Sequence, residues 1–120
     1  MDQETLNYFK KLLEDRLQEL LKEAEKTMQE MTGENTFFPD PTDRASLETD
    51  RNFLLRIRDR ERKLIAKIRE ALERIENGTY GICEGCGDEI DIERLKARPV
   101  TTLCIECKRK QEALEKLRGE

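Results

Sequence analysis

The sequence predicts a mainly α-helical protein: a long antiparallel coiled-coil hairpin carrying a C-terminal four-cysteine zinc-finger head and a terminal helix. Three observations point there. Apolar residues recur at alternating three- and four-residue spacing through two long stretches, the seam pattern of paired helices. The chain's four cysteines stand as two C-x-x-C pairs, Cys83 with Cys86 and Cys104 with Cys107. Hydrophobic residues make up 36% against 42% charged, aromatics are 5% and tryptophan is absent. That supply is too thin for a thick core but is enough for a narrow seam. At 120 residues the chain is one domain, or one small module with an extension.

The first helix is expected from residue 3 to about residue 32. Leu6, Leu13 and Leu20 repeat every seven residues, interleaved with Leu17, Ala24 and Met31. Phe9, Leu12, Leu21 and Met28 widen the stripe, and Lys and Glu fill the other faces. Gly33 is the stop. From Gly33 to Pro41 the chain holds Gly, Asn, two Phe and two Pro, which cannot continue a regular helix.

A second, longer helix is expected to begin near Asp40 or Thr42 and run to about Asn77. Asp40 before Pro41 supplies an N-cap followed by proline in the first turn. The seam reads Leu54, Ile57, Glu61, Leu64, Ile68, Ala71 and Ile75, a heptad run with one charged interruption. Asn77-Gly78 ends it. Each helix of roughly 30 residues would span about 45 Å at 1.5 Å per residue, and a short connection favours antiparallel packing. The expected division is therefore a hairpin over residues 1–78, with its tip near residues 37–45, and a head over residues 79–120.

The tip holds Phe37 and Phe38, with Asp40 and Asp43 bracketing the helix start. Acids there favour the helix through capping and the macrodipole. The same residues would also form an acidic probe at the end of a thin rod.

Past Gly78 the pattern changes. Thr79 to Pro99 reads as short strands and turns around the first cysteine pair, and Thr102 to Lys108 brings the second. A charged helix should follow from about Ile105 to Leu117, with Ala113, Leu114 and Leu117 on its buried face. Seventeen residues separate the pairs, inside the interval of about 15–20 typical of four-cysteine zinc sites. Zinc takes four tetrahedral ligands, and thiolate sulfur suits it. With every position held by sulfur no activated water remains, so one structural Zn2+ is expected and no catalysis. Iron is the chemical rival, since four thiolates also bind it. A thioredoxin-like motif lacks its βαβ surroundings and leaves the second pair unexplained; disulfides lack a signal peptide or any other mark of an oxidising compartment.

Charge narrows the function. A net charge of −4 argues against autonomous sequence-specific DNA binding, which draws on excess positive charge. No apolar run approaches membrane-spanning length, and the chain reads as soluble and intracellular. Two carboxylates without further ligands or a pocket make a poor metal-dependent nuclease, so an enzyme is not expected. Arg56, Arg60, Lys63 and Lys67 form one stripe beside the second seam, either a solvated face or a docking surface for an acidic partner.

Three segments together resemble the DksA/TraR family of bacterial transcription factors. Phe38-Pro39-Asp40-Pro41-Thr42-Asp43-Arg44-Ala45 looks like the family's tip, and Arg58-Asp59-Arg60-Glu61-Arg62-Lys63-Leu64-Ile65 like its second coiled-coil helix. Tyr80-Gly81-Ile82-Cys83-Glu84-Gly85-Cys86-Gly87, Arg94 to Pro99 and Cys104 to Lys108 resemble its zinc finger. The likeness spans nearly all of residues 5–112. It implies a cytoplasmic, monomeric factor that binds RNA polymerase at the rim helices of the secondary channel. Such a factor alters open-complex stability with the stringent-response nucleotide ppGpp, without recognising promoter sequence. Asp40, Asp43 and Ala45 match the family's functional tip. Its nucleotide contacts fall on Leu64, Lys67, Arg98 and Lys108, of which the three cations suit phosphate. The chain starts almost at the first long helix, without the leading segment of longer family members, so the ppGpp response is a weaker expectation than polymerase binding. A zinc-ribbon coiled-coil adaptor or a nucleic-acid-binding protein is the alternative.

Overall fold

The computed structural model describes residues 1–32 and 41–119, and side chains for all of these except residues 31, 32 and 41–48. Four helices follow one another: α1 (Gln3–Thr32), α2 (Pro41–Asn77), α3 (Ile92–Ala97) and α4 (Ile105–Leu117). Both long helices take the bounds that the seam and its punctuation predict. Asp2 caps α1, its Oδ1 accepting the Thr5 N–H at 2.8 Å. α2 ends in a Schellman motif. Thr79 N–H donates to the Arg74 carbonyl at 2.9 Å and Gly78 N–H to that of Ile75 at 3.3 Å. Gly78 supplies the left-handed conformation, φ 78°.

Two compact units are present, one of Asp15–Arg69 and the other of Met1–Glu14 with Glu70–Glu120. In the Asp15–Arg69 unit the seam buries Leu20, Ile65 and Ile68. Leu17, Leu21, Ala24, Leu54, Ile57 and Leu64 are half-buried beside them. Ile65 lies next to the predicted seam position Leu64, because a straight helix drifts about 20° per heptad against a 3.5-residue repeat. Met28, expected to widen the α1 stripe, is instead exposed, and buried Thr27 takes the inner place seven residues after Leu20. Thr27 faces the charged interruption, Glu61, which is only 7% exposed. The Thr27 hydroxyl donates to the Glu23 carbonyl at 3.0 Å, with Glu61 Oε2 a second acceptor at 3.3 Å. Glu61 Oε1 is buried with no hydrogen-bond partner.

The other unit gathers Phe9 and Leu13 of α1, Ala71 of α2, and Tyr80, Cys83, Ile90 and Leu95 from the head segment into one buried cluster. Tyr80 joins the two parts of this core. Its ring centroid lies 5.6 Å from that of Phe9, and its hydroxyl donates to the Pro99 carbonyl at 2.8 Å. Burial pushes the Tyr80 phenol up to about 12, against a small opposing pull from Arg74.

Two expectations are corrected here. The stretch from Thr79 to Pro99 holds a single antiparallel bridge, Ile82 with Glu89, and the helix α3 where strands were expected. Leu95, fully buried, anchors that helix to the core. α4 occupies its expected bounds, but Ala113, Leu114 and Leu117 are exposed and the helix buries no residue. The core of this unit is formed by Phe9, Leu13, Tyr80 and Leu95 without a contribution from α4.

Candidate metal centre and surrounding sites

The two cysteine pairs sit on different local scaffolds. Cys83 and Cys86 flank a tight turn in which Gly87 N–H donates to the Cys83 carbonyl at 2.9 Å. Gly87, at φ 79°, takes a conformation other residues resist. Cys104 caps α4, and Cys107 stands one turn further on, so helical geometry aims both sulfurs the same way. The turn and the helix are held together by backbone bonds: Glu84 N–H to the Thr102 carbonyl at 2.9 Å, and Cys83 N–H to that of Asp88 at 2.8 Å. From α3, Arg94 Nε donates to the Leu103 carbonyl at 2.9 Å, just before Cys104. Its Nη2 reaches Thr101 Oγ1 at 3.4 Å.

The result is four sulfurs within 4.8 Å of one another. A tetrahedral ion with Zn–S bonds of about 2.3 Å needs sulfurs about 3.8 Å apart, and Cys86 Sγ lies 3.8 Å from Cys104 Sγ. None of the four is in a disulfide. Cys83 Sγ accepts N–H groups from Cys104 and Gly85, each at 3.3 Å. Led by the Cys104 amide, these bonds pull the Cys83 thiol down to about 6. Cys107 is pushed up to about 12, first by its bond with Cys104 and then by Cys83 and burial. Four thiolates this close repel one another, and a divalent cation at their centre relieves that repulsion. The donor set, spacing and second layer of amides fit a structural zinc ion. Gly85 leaves room for the sulfurs: a Cβ there would stand 3.0 Å from Cys107 Sγ, a tight contact that the sulfur would have to yield to.

The remaining predicted residues fall in both units. Leu64, half-buried, and Lys67, exposed, belong to the Asp15–Arg69 unit. Arg98, exposed, and Lys108, half-buried with its Nζ on Gln111 Oε1 at 3.1 Å, belong to the other. Asp40 lies outside the described residues. Asp43 and Ala45 fall in the first turns of α2, their side chains outside the described set. Arg56, Arg60, Lys63 and Lys67 are all exposed, and Phe53, 61% exposed, continues their stripe by three residues. Sequence reasoning missed Phe53, whose register was readable, and the clamp made by Arg94, which pattern alone cannot show.

Comparisons with known proteins agree with this architecture. Residues 5–75 match the family model described as DnaK suppressor protein DksA, N-terminal domain. Residues 78–113 match the one described as prokaryotic dksA/traR C4-type zinc finger. A relative from Salmonella typhimurium named RNA polymerase-binding transcription factor DksA is 47% identical over 116 residues, 97% of this chain and 77% of its own length. Proteins of the same name from Escherichia coli K12 and Caulobacter vibrioides are 46% and 44% identical, covering 97% and 98% of the chain and 77% and 82% of their own lengths. The solved structure of transcription factor DksA2 from Pseudomonas aeruginosa superposes with a TM-score of 0.90 at 42% identity, covering 97% of this chain and 89% of that one.

Proposed function

The chain belongs to the DksA family, and from that membership we propose that it is a non-enzymatic transcription regulator that docks on bacterial RNA polymerase. The observation that carries the proposal is the identity of 44–47% to polymerase-binding DksA proteins over nearly the whole chain. The four cysteines would hold one structural zinc, which supplies no chemistry because sulfur fills every ligand position. The metal instead fixes α4 and the Cys83 turn to the core.

On this reading the hairpin enters the secondary channel, bringing Asp40, Asp43 and Ala45 toward the catalytic centre, where they change open-complex stability. The exposed stripe of Arg56, Arg60, Lys63 and Lys67, with Phe53 at its end, supports docking on an acidic surface. Leu64, Lys67, Arg98 and Lys108 would take part in a ppGpp site completed by the polymerase rim helices, their cations meeting phosphate. The protein would act as a monomer in the cytoplasm, where its partner works.

The deciding experiment combines binding of purified RNA polymerase with open-complex lifetime at a ribosomal RNA promoter, with and without ppGpp. Binding with a shortened lifetime supports the regulator, whereas binding without a lifetime effect favours the adaptor reading. Lys67→Ala, Arg98→Ala and Lys108→Ala should each weaken the ppGpp enhancement at saturating protein. Each removes a charge-assisted contact of roughly 1.5–3 kcal/mol. Unchanged nucleotide dependence in all three would remove that assignment.

A further inference from the structure

Beside the second cysteine pair, in the unit of Met1–Glu14 with Glu70–Glu120, lies a groove of about 560 Å3. Its size is within the roughly 300–1,000 Å3 usual for binding clefts; Cys104 and Arg98 in its wall already have roles above, and its acidic residues have none. Asp88, Glu89 and Asp91, from the stretch between the first pair and α3, line it together with Glu106 of α4. Among the described residues none of these four carboxylates is in an ion pair. Ile105, 46% exposed, gives the groove an open aliphatic surface.

Two arginines line the same groove. Arg94 is committed to the Leu103 carbonyl and Thr101, which leaves Arg98 as the other. Four carboxylates against two guanidiniums leave two negative charges in excess, before any contribution from the Cys104 sulfur in the same wall. A groove of this sign disfavours a phosphate backbone and complements ammonium or guanidinium groups. The aliphatic surface selects against a purely hydrophilic occupant.

We propose that this groove is a docking site for a basic segment of a partner protein, with Lys or Arg side chains on the acids and one aliphatic side chain against Ile105. The proposal rests on the polymerase reading for the partner's identity: the segment lies on the polymerase surface that receives the zinc head. It adds to the cationic stripe on α2 a contact of opposite sign.

The test uses full-length protein carrying one zinc per chain, with Asp88→Asn/Asp91→Asn/Glu106→Gln and the charge-reversed Asp88→Lys/Asp91→Lys/Glu106→Lys. Arg98 stays untouched and ppGpp is left out, so the proposed nucleotide site does not enter the reading. Competition binding to purified RNA polymerase from 50 to 300 mM salt should show about tenfold weaker binding for the neutral variant, as expected for several partly screened pairs. The reversed variant should bind more weakly still, and both should lose part of the salt dependence. A photo-crosslinker at Ile105 should map to a Lys- or Arg-rich polymerase segment. Wild-type affinity and salt slope in both variants, at one zinc per chain and unchanged melting temperature, overturns the proposal.

Absence of polymerase binding by the wild type is a different result, and it refutes the regulator reading. The groove is then judged by amide NMR shifts with a decapeptide of alternating Lys and Leu against its Glu-Leu counterpart. Saturable shifts at residues 88–106 with the basic peptide alone uphold its chemistry, and equal or absent shifts overturn it.

Discussion

Replacing Glu61 with leucine should make the Asp15–Arg69 unit more stable. Glu61 is 7% exposed, and its Oε1 has no partner. An unsatisfied buried polar atom costs about 1–3 kcal/mol. Removing it and filling the seam with aliphatic atoms returns that cost, plus about 0.8 kcal/mol for each further buried CH2 equivalent. The loss is the 3.3 Å contact with Thr27, about 0.5–1.5 kcal/mol at most. It is smaller in practice, because the Thr27 hydroxyl keeps its bond to the Glu23 carbonyl. The balance favours leucine by about 1–3 kcal/mol, and each kcal/mol raises Tm by roughly 4–8 °C in a domain of this size. Circular dichroism melts at 222 nm read the shift. Light scattering checks that the longer apolar seam has not created an oligomer. Thr27→Val alone and with Glu61→Leu closes a double-mutant cycle, whose coupling should be below about 1 kcal/mol. A monomeric Glu61→Leu protein with lowered Tm would refute the reasoning, since the carboxylate would then contribute more than its burial costs.

Removing the metal with a chelator, or Cys86→Ser, should loosen the head while the long helices keep much of their far-UV signal. Metal analysis and near-UV dichroism separate the two, and a freshly purified chain without zinc or iron would exclude the site. Alkali should act through Tyr80, whose folded pKa of about 12 lies above its ordinary value of 10. The stability it contributes is complete below pH 10 and is lost as pH rises through 12, roughly 2–3 kcal/mol in all. Phenolate absorbance at 295 nm in a Tyr8→Phe background should show this late titration, and ionisation near pH 10 in the folded protein would contradict it. Asp43→Asn should abolish the effect on open-complex lifetime while sparing polymerase binding and Tm. A first-turn charge is worth only about 0.3–1 kcal/mol to its helix, so full activity would return Asp43 to a helix-start role.

Long helices with sharp punctuation were readable because seam, cap and stop agree. Gly78 predicts a helix end, and the Schellman bonds to Arg74 and Ile75 supply it. The cysteine spacing specified the tetrahedron for a similar reason, since a tight turn and one helical turn leave few ways to place four sulfurs. The failures have physical causes. α3 is six residues long, shorter than the window over which periodicity is informative. The stripe of α4 defines a face but cannot say whether anything remains to cover it. Glu61 was visible as an interruption, but its pairing with Thr27 depends on which α1 residue lies opposite, a tertiary fact. Arg94 and Gly85 act through segments distant in sequence. The roles of Asp40, Asp43 and Ala45 rest on family likeness, because helix-start acids look the same whether they cap a helix or act on a partner.

The bonds that brace the cysteine turn have a bearing on metal retention. Glu84 on Thr102, Arg94 on Leu103 and Cys104 on Cys83 bring the two pairs into register through peptide groups. An ion arriving there finds the ring of sulfurs largely closed and pays little of the ordering entropy that a slack peptide would charge. Every 1.4 kcal/mol of such bracing appears as a factor of ten in metal dissociation constant. How tightly the head would keep an ion is therefore written partly in residues that never touch it, Arg94 among them.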